Sequence, residues 1–160
     1  MATRADFTVD EWTEIMQSPL LAAMVVMATP KSGPIQMAQE MVAAVAAMAD
    51  AATKDQGNGI IGAIGAAMQA KETPKPIEMK PETVEAMQSL ALGELQRVVA
   101  IVDAKGGTDA SGYKTWLVSV AHKVAEAAKE GAFLGFGGAQ VTADETAAIG
   151  KLAAALGVSA

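Results

Sequence analysis

Residues 113–145 read YKTWLVSVAHKVAEAAKEGAFLGFGGAQVTADE. Trp116, Leu117, Val120, Val124 and Ala127 recur with the helical period and form one apolar stripe, while Lys114, Lys123, Glu126 and Lys129 fall off it. Gly131 stands where such a helix stops. Phe133-Leu134-Gly135-Phe136-Gly137-Gly138 reads as a turn, and Thr142-Ala143-Asp144-Glu145 as a capping box that opens another helix. Helix, aromatic–glycine turn, capped helix: this order sets the class as all-α, and no strand-like alternation of convincing length occurs elsewhere.

The rest of the chain repeats the pattern. Thr8-Val9-Asp10-Glu11 is a second capping box, flanked by Phe7 and Trp12 at the spacing of a hydrophobic staple. It predicts a helix from about Val9 to Gln17, and Ser18-Pro19 predicts a restart with serine as N-cap and proline as first residue. The helix from Pro19 to Ala28 is apolar nearly all round and belongs at the centre of the core. Pro34 opens a helix with an apolar stripe through Met37, Met41, Val45 and Met48, ending near Lys54 before Gln56-Gly57-Asn58-Gly59. Gly59, Gly62 and Gly65 then make a smooth ridge on a short helix. Each glycine costs up to about 1 kcal/mol of helix propensity, so the ridge predicts a close helix contact within the chain or between chains. Residues 72–80, with Pro74 and Pro76, are a linker. Pro81 opens a long helix that Gly106-Gly107 ends, Asp109 or Ser111 caps the next, and the last ends at Gly157. The expectation is one domain over residues 1–160, an antiparallel helical bundle of about seven helices. The echo between residues 8–15 and 142–149 fits either a duplicated half or two independent capping boxes.

Composition narrows the function classes. Hydrophobic residues make up 51% and charged residues 19%, a globular balance rather than a disordered one. Aromatics are 4% against ten methionines, so the core must be built from small side chains at close approach, with methionine filling gaps. The net charge of −6 and the presence of only two arginines, Arg4 and Arg97, disfavour nucleic acid and anionic membranes as partners. There is no cysteine, hence no disulfide and no thiolate chemistry. No apolar run has the length of a membrane span, and the expected setting is the cytoplasm.

The aromatic–glycine turn is where a site is expected. Residues 113–145 hold Tyr113, Trp116, Phe133 and Phe136, and the single histidine, His122. Backbone amides at Gly137 and Gly138, ahead of the helix start at Thr142, suit an anion. The candidate ligand-binding residues are therefore Tyr113, Trp116, His122, Phe133, Phe136, Gly137 and Gly138, for a small molecule or anion. The bland alternative is a structural turn that tucks Phe133 and Phe136 into the core. His122 lies about 200° round from Val120, on the polar side, and no positioned nucleophile accompanies it. No dinucleotide fingerprint, Walker motif or nucleophile elbow is present. A calcium loop counted from Asp55 fails, with Gly57, Ile60 and Ala66 at ligand or glycine positions. No catalytic residue, metal ligand or cofactor is assigned. The function expected is non-catalytic, through self-association or protein–protein interaction as a homo-oligomer.

Phe133 to Glu145 and the alanine-rich helix after it resemble small bacterial helical proteins. The segment is also similar to the TerB-like (tellurite-resistance) helical domains, whose inter-helix segment carries glycine, an apolar residue, Ser/Thr and glutamate: here Gly138, Val141, Thr142 and Glu145. The resemblance covers about a tenth of the chain and implies a helical fold. The family's acidic residue before the glycine is Gly137 here, so its metal binding is not carried over.

Overall fold

The computed structural model of the chain describes residues 1–27, 45–46, 49–50, 57–72, 75–80, 82–130 and 141–160. Among them are a 3-10 turn, Arg4–Asp6, and five α-helices: α1 (Val9–Met27), α2 (Gly59–Gln69), α3 (Val84–Lys105), α4 (Asp109–Glu130) and α5 (Ala143–Leu156). The described residues contain no strand, and no described helix is long and apolar enough to cross a membrane. The class is all-α.

The helix count differs from the expected seven for two reasons. Of the helix expected over residues 34–54, Val45, Ala46, Ala49 and Asp50 are described and are helical; the rest of it lies outside the described residues. The two helices expected on either side of Ser18-Pro19 are one, because Pro19 sits inside α1. Proline has no N–H to give the carbonyl four residues back, here Ile15. That carbonyl accepts instead from Ser18 Oγ at 2.8 Å and from Tyr113 Oη at 3.1 Å. The two hydroxyls also lie within hydrogen-bond reach of each other, and with one proton apiece they supply two of these three contacts at a time. Ser18 and Tyr113 are both fully buried, so the orphan carbonyl is satisfied without water. A local rule predicts a break; a residue 98 positions from that carbonyl helps to repair it.

α1 is the centre. It packs most extensively against α3 and α4 and also touches α5, while α2 packs against α4. Leu21, Ala22, Ala23, Val25, Val26 and Met27 are all within 4% of complete burial, as expected of a helix apolar nearly all round. Each valine or leucine so buried contributes about 1.5–3 kcal/mol. The inward residues of its neighbours are Leu95, Val98 and Val102 on α3, Leu117, Val120 and Val124 on α4, and Ile149, Leu152 and Leu156 on α5. Small residues among them (Ala91, Ala121, Ala125, Ala148, Ala153) let the backbones approach. Gln88 Nε2 of α3 donates to the Val25 carbonyl of α1 at 2.9 Å, a further polar tie between the two helices.

Both expected capping boxes form. Thr8 N donates to Glu11 Oε2 at 2.7 Å and Glu11 N to Thr8 Oγ1 at 3.3 Å; Thr142 and Glu145 do the same at 2.8 and 3.2 Å. Phe7 and Trp12 meet as the staple spacing requires, ring centroids 6.3 Å apart. Two starts differ from expectation. α3 is capped by Thr83, whose hydroxyl accepts from Ala86 N. α4 begins at Asp109, and the Asp109 carboxylate turns away from its own helix to other partners.

Those partners form a polar junction between the start of the chain, the start of α2 and the start of α4. Asp109 Oδ2 accepts from Ala2 N at 2.6 Å and from Gly59 N at 3.2 Å. Asn58 Nδ2 donates to the Asp109 carbonyl at 2.8 Å, while Asn58 Oδ1 caps α2 by accepting from Ile60 N and Ile61 N. Ala2, Asn58 and Asp109 are 6–8% exposed. Gly59 has no room for a side chain: a Cβ there would lie 2.1 Å from the Ala2 carbonyl oxygen. Gly107, at φ +54, makes the turn between α3 and α4 in the left-handed region.

Replacing Tyr113 with phenylalanine is expected to cost about 1–2 kcal/mol, since the Ile15 carbonyl loses one of two donors. Thermal denaturation should show a drop in Tm of roughly 2–8 °C. In a Pro19→Ala background the Ile15 carbonyl regains an amide, and the same change should cost less than half as much. Equal costs in both backgrounds would show that the proline-freed carbonyl is not what the hydroxyl serves.

Candidate functional site

The sequence-nominated residues do not share one surface. Tyr113 is fully buried and committed to Ile15 and Ser18. Trp116 is 5% exposed, its ring centroid 5.8 Å from that of Tyr113, and its buried Nε1 has no hydrogen-bond partner. His122 is exposed, where the helical period puts it. The structure brings Tyr113 and Trp116 together and leaves His122 outside. Phe133, Phe136, Gly137 and Gly138, with the turn they belong to, lie outside the described residues. Among the described residues no group of three or more His, Asp or Glu is placed to hold a metal.

A different cavity is present, of about 200 Å³, lined by Glu14, Gln17, Leu21, Ile77, Glu78, Met79, Glu94 and Val98. Helical spacing on α1 sets Glu14, Gln17 and Leu21 on one face, and Glu94 and Val98 stand one turn apart on α3. The third wall is the segment at 75–80 that the sequence marks only as a linker. Gln17 Nε2 holds it in place by donating to the Lys75 carbonyl at 2.7 Å.

The cavity floor is apolar and its rim acidic. Arg97 spans two of the carboxylates, 2.7 Å from Glu14 and 3.1 Å from Glu94. Its side chain is 61% exposed, so these pairs contribute little stability. Three carboxylates against one guanidinium leave a surplus of two negative charges at the cavity. Glu14 Oε1 takes the Arg97 bond, and Glu14 Oε2, buried, has no hydrogen-bond partner. Sequence patterning offered one clue: the alternation Ile77-Glu78-Met79, apolar residues in a stretch otherwise rich in proline and charge.

Elsewhere the charges brace the helices. Lys105 of α3 lies 2.6 Å from Glu11 of α1, and Lys114 of α4 lies 2.7 Å from Asp103 of α3. The Lys105 ammonium and the Thr8 amide hold the Glu11 carboxyl below its ordinary value. The Thr3 amide and hydroxyl do the same for Asp6.

Comparison with protein-family models, curated proteins and solved structures finds no match to this chain.

Tyr113 supplies a clean titration, being the only tyrosine. Burial pushes its phenol well above the ordinary 10.0, against a smaller downward pull from the Ser18 hydrogen bond. An acid whose folded-state pKa is raised contributes stability below its unfolded pKa and loses it as pH rises beyond that value. Folded protein should therefore show no tyrosinate absorbance near pH 10, and phenolate should appear together with loss of helical circular dichroism. Tyrosinate forming in fully helical protein would mean the hydroxyl is not enclosed.

Proposed function

We propose that this chain is a non-catalytic helical protein that acts by association with a second copy of itself, through the outward face of α2. The supporting observation is Gly62. A Cβ built there meets nothing within 4 Å, so no contact inside the described chain accounts for a glycine in mid-helix; the same is true of Gly93 and Gly150, and what sets Gly62 apart is the run of small residues that follows it on α2. Gly59, by contrast, is explained by Ala2.

Ala63, Ala66, Ala67 and Ala70 continue the smooth face as a shallow depression bordered by Arg4 and Glu72. Those two are 3.6 Å apart and half exposed. A patch with one cation and one carboxylate at its edge is self-complementary under a two-fold axis, as a symmetric dimer requires. Small side chains let two such helices approach closely. The same proposal sets the protein in the cytoplasm, as an antiparallel bundle with the TerB-like inter-helix segment, and without an enzymatic role.

Gly62→Leu tests it directly, because a Cβ at this position meets nothing within 4 Å in the described chain. Sedimentation at micromolar concentration should give a dimer for the native chain and a monomer for the variant, with unchanged circular dichroism. A native monomer sinks the proposal.

The cavity beside α1 favours a second function, binding of a small organic cation with a short aliphatic body. The surplus acidic charge and the unpartnered Glu14 oxygen support it, and the apolar floor fits the body. Calorimetric titration with putrescine should show binding that Glu14→Gln weakens about tenfold, or ~1.4 kcal/mol. Equal heats for both proteins, or none, would remove it.

A further inference from the structure

We infer that the Asn58–Gly59 peptide is a modification site: a spontaneous deamidation that the fold holds shut, and whose product prevents the polar junction from closing again. Asn58 is the only asparagine in the chain, and glycine follows it. That order is chemically labile, because glycine has no Cβ to shield its nitrogen and leaves the backbone free to turn. The junction nevertheless needs both residues. A side chain at position 59 would strike the Ala2 carbonyl. At position 58 the fold needs an acceptor for Ile60 N and Ile61 N and a donor for the Asp109 carbonyl, and asparagine carries both on one short stem.

The chemistry balances with water alone. Gly59 N gives up its proton and bonds to Asn58 Cγ, the Cγ–Nδ2 bond breaks, and Nδ2 leaves as ammonia. Water then opens the five-membered imide on one side or the other. Cleavage at Cγ gives aspartate, and cleavage at the main-chain carbonyl carbon gives the isoaspartyl isomer.

In the folded chain every group that must move is held. Oδ1 accepts from Ile60 N and Ile61 N at 3.1 and 3.2 Å, and Nδ2 donates to the Asp109 carbonyl at 2.8 Å. The Asn58 carbonyl takes the first bond of α2, from Gly62 N at 2.9 Å, so turning the peptide towards the side chain unpicks the helix start. The attacking nitrogen, Gly59 N, donates to Asp109 Oδ2 at 3.2 Å, and a negative carboxylate there opposes a second negative charge on the nitrogen. Reaction therefore waits for α2 to open locally from α4, its described neighbour.

The outcome runs one way. The aspartate product keeps an oxygen to cap α2 but has no N–H for the Asp109 carbonyl. Two acceptors then face each other where Asn58 is 6% exposed, and a second carboxylate joins that of Asp109. The isoaspartyl product adds a methylene to the main chain and carries Gly59 N off Asp109 Oδ2.

Full-length protein is incubated at mildly alkaline pH in buffer and in guanidinium hydrochloride, and peptide mapping follows residue 58. Deamidation in buffer is expected to be at least about a hundredfold slower, equivalent to a local opening of about 2.7 kcal/mol or more. Equal rates, or no deamidation in the denatured chain, would overturn the proposal. Asp109→Ala frees Gly59 N and should speed the reaction in buffer by about tenfold. An equal or slower reaction would mean that Asp109 does not hold the peptide closed. Asn58→Asp, the stable counterpart of the aspartate product, should lower the Tm by roughly 2–12 °C. An unchanged Tm would show that the junction accepts the product, against the proposal. The comparison of buffer with denaturant uses the native sequence, so it decides the matter even if a variant does not fold.

Discussion

A proline inside a helix leaves the carbonyl four residues back without its amide, and here that carbonyl is the buried one of Ile15. Everything around the centre of the molecule follows from how it is satisfied. Ser18 answers from the same turn, and Tyr113 answers from α4, so the defect in α1 becomes the point at which α4 is registered against it. An unbroken α1 would need no such partner, and a fully broken one could not carry a continuous apolar surface from Trp12 to Met27. Proline, serine and tyrosine together hold a middle course: one rod, with one polar address on it.

The Asp109 junction plays the corresponding part at the very start of α4. Tyr113 stands one turn beyond Asp109, so α4 is tied to α1 by its phenol and to α2 and the chain start by its first carboxylate. Two polar contacts a turn apart fix both the rotation and the height of a helix whose other inward residues, Leu117, Val120 and Val124, are greasy and would tolerate sliding. Directional bonds specify what non-directional burial only stabilises.

Much of this was legible in the residues and some was not, and the division is physical. Capping boxes are local, so Thr8/Glu11 and Thr142/Glu145 could be read directly, as could the Phe7–Trp12 staple and the exposure of His122. The inner stripe of α4 followed from period alone. The Ser18-Pro19 break was read wrongly because its repair comes from Tyr113, far along the chain. Asp109 looked like a cap because aspartate at a helix start usually is one, and its real partners lie on other elements. The cavity could not be seen at all, since it needs α1, α3 and the 75–80 segment in one place. Tyr113 was nominated for a ligand on its aromatic character; its hydroxyl is spent inside the core.

The centrality of α1 has a consequence in time. It precedes the other helices in this sequence, yet among the described residues the surfaces that cover it lie on α3, α4 and α5, all much later in the chain. At ordinary translation rates the greasy run from Leu21 to Met27 waits on the order of ten seconds for its last neighbour. Until α3 is made, none of the described helices that pack most extensively on it is present, and long-range contacts of this kind fold slowly. The helix that ends up the most protected begins as the most exposed, so the nascent chain, rather than the finished fold, is where this sequence is most open to chaperones and to aggregation.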